Sequence, residues 1–365
     1  MSAPPFDSNV NLLVLGKTGV GKSSLLNYLF GEGVAPTGAG RPVTGQGLFR
    51  CRPFAYRNLS ITVYDSWGLE PDKAEQWERL IQQELDSRDG QSIADWFHAI
   101  VYCIDAKRSR LEDFECTCVI DRIIDAGNKV NFALTRAGLA SRANLDGIRQ
   151  ILASRYPRQE CCEVESVHAT LLGGKTTTPF GREVLLDQIC KNLRKNMLFK
   201  AIRHFEKDFL ASLRECRQAS LQCYEEETSV LTIFSESVLD RLMRHISAIY
   251  SAKLSRASET FARHIEECAV FYDRIANAFT GEKITFWKKT LQFTSIDGWN
   301  NDANDYFSSI MATIMFPPGF FVRKDIYRDK IEKYLDDCTA EIRRQLYRQI
   351  SELCYAEELD LHCAS

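Results

Sequence analysis

Eight residues near the amino terminus constrain this chain more than any others: Gly16-Lys17-Thr18-Gly19-Val20-Gly21-Lys22-Ser23, which satisfies GxxxxGK(S/T). The run follows the apolar stretch Val10–Leu15 and leads into Ser23-Ser24-Leu25-Leu26-Asn27-Tyr28-Leu29-Phe30, which has helical spacing. Strand, glycine-rich loop, lysine and helix in that order are what a phosphate-cradling loop requires. Glycines let the backbone curl so that several N–H groups point inward at phosphate oxygens. Lys22 would reach the β- and γ-phosphates, Ser23 would offer a hydroxyl to Mg2+, and the helix starting near Lys22 adds the positive end of its dipole. Gly16 through Gly21, with Lys22, Ser23 and Ser24, are therefore the candidate phosphate binders.

The surrounding pattern says what fold holds this loop. Leu59–Tyr64, Ala99–Ile104 and Val130–Thr135 read as further strands, being short and apolar, and a fifth is expected over Glu163–Val167. Helical patterns fall between them at Lys22–Leu29, Pro71–Leu85, Phe114–Ala126 and Leu145–Arg155, with another over Gly181–Leu193. Alternation of this kind predicts an α/β domain: a mostly parallel sheet with helices on both faces. After residue 195 the pattern becomes purely helical. Leu198, Ile202, Phe205, Phe209 and Leu213 share one face, as do Val230, Ile233, Phe234, Val238 and Leu242. Ile331, Leu335, Ile342, Leu346, Ile350 and Leu353 do so again, with one gap of two turns. The expected organisation is an α/β domain over 1–195 and an all-α domain over 196–365.

A second motif stands at the end of the next strand, where Asp65-Ser66-Trp67-Gly68 matches DxxG. Here the carboxylate would hold Mg2+ through water and the Gly68 N–H would meet the γ-phosphate. Between the two motifs lies Pro42-Val43-Thr44-Gly45 in a glycine-rich loop, and Thr44 could close over Mg2+ with its hydroxyl. Thr37 competes for that role but lies nearer the helix, and the bland reading of Thr44 is a plain turn residue.

With these residues in hand the chain resembles the translation-factor-related class of P-loop GTPases, its Era-like and its dynamin- or septin-like groups in particular. The resemblance rests on GKTGVGKSSLLN, PVTG and DSWGLE and covers about residues 8–195. It implies a Ras-like fold, GTP and GDP as ligands with Mg2+, and hydrolysis of GTP in a nucleotide-dependent switch. Lys22, Thr44 and Gly68 would then form the catalytic set, and Ser23, Thr44 and Asp65 the metal set. The guanine-reading parts depart from the family. Where the family has (N/T)KxD, this chain has Thr135-Arg136-Ala137-Gly138. Threonine matches and Arg136 can lay its guanidinium over the base, but glycine replaces the aspartate. Asn128-Lys129-Val130-Asn131 imitates the motif, yet it precedes the strand and so lies at the wrong end of the sheet. After the fifth strand Val167-His168-Ala169 stands where the family has SA(K/L), leaving Ala169 a backbone N–H for the base. Losing the aspartate relaxes the expected preference for guanine, so GTP is the first reading and mixed use with ATP the second. Leu69 stands where Ras-like enzymes place a water-orienting glutamine.

Composition bears on partners and location. Forty-six basic residues against forty-nine acidic ones leave a net charge of −3, which argues against nucleic acid as a partner. The thirteen cysteines are scattered, form no CxxC pair and suggest no zinc site, so a reducing cytoplasm is expected. The expected partners are a guanine nucleotide, a second copy of the GTPase domain, and a protein engaged by the helical domain. The second-half helices form either a plain bundle or an assembly arm. No run of about 18 uncharged apolar residues occurs. Phe307–Phe321 carries no charge but is broken by Pro317-Pro318-Gly319, and reads either as a buried helix or as a surface anchor peripheral at a membrane. Against the switch stands a nucleotide-holding assembly module with little turnover, and a dynamin-like membrane-associated GTPase is the third reading.

Overall fold

Five strands run parallel at the centre of the chain's first half: β1 (Asn9–Leu15), β4 (Leu59–Ser66), β5 (Ala99–Asp105), β6 (Val130–Thr135) and β7 (Cys161–Val164). The computed structural model describes residues 9–31, 33–34, 48–57, 59–66, 71–89, 93–108, 111–168, 176–228, 236–280 and 324–356. Every residue of β5 and β6 is buried, as expected for parallel strands covered on both faces. Two short strands, β2 (Leu48–Arg50) and β3 (Phe54–Tyr56), pair antiparallel with β4, giving the order β2-β4-β1-β5-β6-β7 with β3 also on β4. The sequence reading contains neither. Each is only three residues long, and Pro53 between them cannot donate to a ladder, a combination that edge strands tolerate. The Cys51 N–H bridges the gap by donating to Val63 O at 2.8 Å.

The helices follow the expected alternation with local differences. After α1 (Lys22–Phe30) comes α2 (Ala74–Asp89), entered through a 3-10 turn at Pro71–Lys73. The single helix expected over Phe114–Ala126 is three pieces: α3 (Asp113–Glu115), a π turn (Cys116–Ile120) and α4 (Asp121–Asp125). A capping box of Glu112 and Glu115 opens it. After α5 (Arg142–Arg155), β7 starts two residues earlier than expected, because Cys161 and Cys162 serve as small apolar strand residues. The helix expected to end at Leu193 becomes α6 (Arg182–Glu227). Met197, Leu198, Ala201 and Ile202 extend the buried stripe, and no glycine or proline interrupts it.

By contact the chain divides into two compact units, Met1–Lys200 with Glu267–Trp287, and Ala201–Glu266 with Lys288–Ser365. The second unit contains the rest of α6, most of α7 (Glu236–Thr280) and all of α8 (Lys324–Ala356). Its helical stripes are core. Ile202, Phe205, Phe209 and Leu213 are buried, with Phe205 4.5 Å centroid to centroid from Phe261. On α8 the two-turn gap is filled by buried Cys338, between Leu335 and Ile342. Arg217 reaches Asp336 at 2.7 Å across that bundle. Val230, Ile233, Phe234 and the Phe307–Phe321 segment lie outside the described residues. No helix among the described residues is long and apolar enough to cross a membrane.

One buried titratable group ties the sheet together. His98 is 1% exposed; its Nδ1 accepts from the Asn11 N–H at 2.8 Å and its Nε2 donates to Ile93 O at 2.8 Å, which requires the neutral ring. Burial pushes its pKa down to about 3, with Lys200 and Arg88 adding to the effect against the Ile93 carbonyl. Unfolding restores a value near 6.5, so the unfolded chain takes up a proton that the folded chain refuses. The stability from this site is complete above about pH 6.5 and falls toward pH 3 by at most ~1.4 kcal/mol per pH unit. Urea melts at pH 7 and pH 5 are expected to show that loss, and His98→Gln, which cannot take up the proton, to show a shallower pH slope. Equal slopes would refute the assignment.

Candidate phosphate and nucleotide site

The loop between β1 and α1 sits at the carboxyl edge of the sheet, where α/β folds hold their ligands. Its first glycine is dictated by the neighbouring strand. Gly16 has φ +138°, and a Cβ there would lie 2.5 Å from the Cys103 carbonyl oxygen of β5. Gly21 caps α1 in the left-handed region at φ +96°. Lys22 then begins the helix with its side chain turned back over the loop. Its Nζ donates to Gly16 O at 2.9 Å and Lys17 O at 3.1 Å, and the residue is 8% exposed. Burial lowers the Lys22 pKa, while the Asp65 carboxylate favours the charged form. Thr18 and Gly19 are exposed, Val20 is buried, and Ser23 and Ser24 are half-buried in the first turn of α1.

Asp65 lies beside this loop because the β1–β4 register sets it opposite Val14, two residues before Gly16. Burial pushes its pKa up to about 6, against the pull of Lys22. Its Oδ1 is buried and has no hydrogen-bond partner among the described residues. A buried carboxylate oxygen without a donor is costly, and a cation at this place would offset the cost. Asp65 with the Ser23 hydroxyl thus fits Mg2+, a hard cation that takes few protein oxygens beside phosphate.

Lys17 uses its side chain structurally. Its Nζ pairs with Glu112 at 2.7 Å and Glu115 at 2.8 Å. Burial works against its charge, but these hydrogen bonds and charges raise its pKa. Glu115 also accepts from the Tyr102 hydroxyl at 2.7 Å and from the Glu112 N–H, so the loop is tied to β5 and to the start of α3. No motif in the sequence marks these carboxylates.

On the base side, Thr135 ends β6 and its Oγ1 lies 2.5 Å from Val20 O, joining that strand to the loop. Arg136, left-handed at φ 55°, donates to Asp105 Oδ2 and to Gly19 O, both at 2.7 Å. Its guanidinium is thus pinned across the loop. Asp105, at the end of β5, is the partner that the sequence reading lacks; only the β5–β6 register, Asp105 opposite Thr135, brings it there. The decoy Asn128–Asn131 lies at the amino end of β6: Asn128 donates to Ile123 O, and the Lys129 N–H donates to Asn196. Gly138 lies in a 3-10 turn after β6. The structure brings together Gly16 to Ser24, Asp65, Thr135 and Arg136. Thr44, Gly68 and Ala169 lie outside the described residues.

Residues 11–135 match the family described as 50S ribosome-binding GTPase. No curated protein matches the chain in sequence. Among solved structures, it is similar to Toc33 from Arabidopsis thaliana in complex with Mg2+ and GMPPNP, 18% identical over 50% of this chain and 83% of that one, at a TM-score of 0.35. It is also similar to the G domain of the T. maritima FeoB iron transporter, 18% identical over 50% of this chain and 98% of that one, at a TM-score of 0.30. The first half of the chain holds a P-loop GTPase domain, which binds GTP, and a helical region follows it.

Proposed function

We propose that the chain hydrolyses GTP to GDP and phosphate with Mg2+ and that residues 1–195 do so as a switch coupled to the helical residues 196–365. The observation that carries this reading is Lys22: an ammonium 8% exposed, held over a glycine loop beside a carboxylate on the adjoining strand whose buried Oδ1 has no hydrogen-bond partner among the described residues. In the reaction water attacks the γ-phosphorus, the bond to the β–γ bridging oxygen breaks, and the charge gathers on phosphate oxygens. Lys22 and the N–H groups of the loop would hold those oxygens, Lys22 by charge and the loop by its dipoles. Ser23 and Asp65 would hold Mg2+, with Thr44 closing on it and the Gly68 N–H meeting the γ-phosphate. Mg2+, when bound, neutralises the charge on the β- and γ-oxygens. Thr135, Arg136 and the Ala169 N–H would line the base side.

With Leu69 in place of a glutamine, water activation falls to another group, and we assign it to a second copy of the domain. The test is a titration of the full chain with labelled GTP, GDP, ATP and ADP, followed by phosphate release over a range of protein concentrations. Guanine nucleotides are expected to bind tighter than adenine ones, and turnover per chain to rise with concentration. Equal affinity for both bases overturns the GTP preference. No phosphate release at any concentration overturns hydrolysis and leaves a nucleotide-holding assembly module.

A further inference from the structure

Beside Gly138, where the aspartate is missing, stands the carboxylate of Glu165, the residue that follows β7. The parallel register of β6 and β7 sets Val164 opposite Thr135. The two chains therefore leave the sheet side by side at its carboxyl edge, one into the Arg136–Gly138 turn and the other into Glu165. Glu165 is 1% exposed. A Cβ built on Gly138 would lie 3.0 Å from Glu165 Oε2 and 3.3 Å from its Cγ. The carboxylate of Glu165 thus reaches the space in which a side chain at 138 would begin.

Nothing within the described fold uses all of that carboxylate. Its Oε1 takes a long contact of 3.5 Å from the Val167 N–H, and its Oε2 has no partner among the described residues. The link between Glu165 and Phe180 is made by backbone alone, N–H to O in both directions at 3.1 and 3.0 Å. Leaving a buried carboxylate oxygen without a donor costs free energy unless a ligand supplies one. Guanine presents two donors on one edge, N1–H and the 2-amino group, and adenine lacks that pair.

We infer that Glu165 is the specificity-determining residue of the base site, taking the guanine N1–H and 2-amino donors in place of the aspartate absent at 138. This rests on the reading that the chain binds a guanine nucleotide. It also explains why position 138 is glycine: a side chain there would press on Glu165 and on the Thr177 methyl, 3.1 Å from the built Cβ. A site that hydrogen-bonds its ligand rejects the analogue lacking those donors strongly, because its own polar groups are then left unpaired.

The test measures binding of GDP, ADP and the xanthine nucleotide XDP to the full chain and to Glu165→Gln. A glutamine keeps the shape but offers an amide N–H to the C2 carbonyl of xanthine. The wild type is expected to prefer GDP to ADP by about 100-fold or more. Glu165→Gln is expected to lose about 10-fold or more of its GDP affinity, to gain XDP affinity, and to leave ADP unchanged. In the double variant Gly138→Asp, Glu165→Ala, guanine preference is expected to return, since the carboxylate is moved to the neighbouring turn. A wild type without base preference overturns the guanine reading itself. A wild type that prefers guanine, with Glu165→Gln retaining that preference and gaining nothing toward XDP, overturns the role of Glu165 alone. A large fall in the melting temperature of Glu165→Gln would assign the residue to structure and overturn the inference too.

Discussion

Lys22→Ala is expected to lose about 100-fold or more of its GTP affinity while folding as well as the parent chain. The two effects separate because the lysine is held in an unfavourable state. Its ammonium is 8% exposed, burial lowers its pKa, and its protein hydrogen bonds go to two loop carbonyls, Gly16 O and Lys17 O. Removing a buried charge takes away its desolvation penalty together with those bonds, so the net change in stability is small. Asp65 loses its neighbouring cation, and with it the pull that opposes burial, so its pKa is expected to rise further in the variant. Fluorescence titration with a labelled GTP analogue, paired with a thermal melt, checks both halves. A variant that binds as tightly as wild type would remove the phosphate role from Lys22. One that unfolds would make the lysine structural.

Gly16→Ala should be the most damaging single methyl in the described structure's nucleotide loop. The residue has φ +138°, a region that L side chains seldom enter, and the new Cβ would meet Cys103 O at 2.5 Å. The methyl would meet backbone at the junction of β1 and β5, so no flexible side chain can move to relieve the clash. A cost of about 3 kcal/mol or more is expected, combining strain with displacement of a close-packed strand. Gly19→Ala supplies the control. It too has a positive φ, +78°, but nothing lies within 4 Å of its built Cβ, so only the left-handed penalty of about 1–2 kcal/mol applies. Denaturant melts of the two variants are expected to differ by a kcal/mol or more. Equal losses would mean that the strand contact contributes nothing.

These two residues were legible because their signal is local. Gly16 and Lys22 sit in one continuous run, and the strand before it and helix after it appear in the same stretch of sequence. The parallel β1, β4, β5 and β6 were legible for a related reason: strands buried on both faces are written as unbroken apolar runs. β2 and β3 were not, being edge pieces whose residues carry no such run. The end of α6 is not legible because no local stop marks it; the buried stripe simply continues from Leu193 through Met197 and Ile202.

The base site marks the limit of reading along the chain. From the sequence Arg136 is expected to lay its guanidinium over a base, and the fold adds two partners for that guanidinium, Asp105 and Gly19 O. Lys17 counts among the candidate phosphate binders in the sequence, and the fold gives its side chain Glu112 and Glu115 as partners. Gly138 looked like a loss, and the fold sets Glu165 against it. By itself the sequence determined the phosphate chemistry, since a loop that wraps one anion is built from consecutive residues and their own backbone. Which carboxylates stand around that loop was decided only by tertiary structure. The register of parallel strands joins positions far apart in the chain, and no spacing rule along a single strand encodes its neighbour.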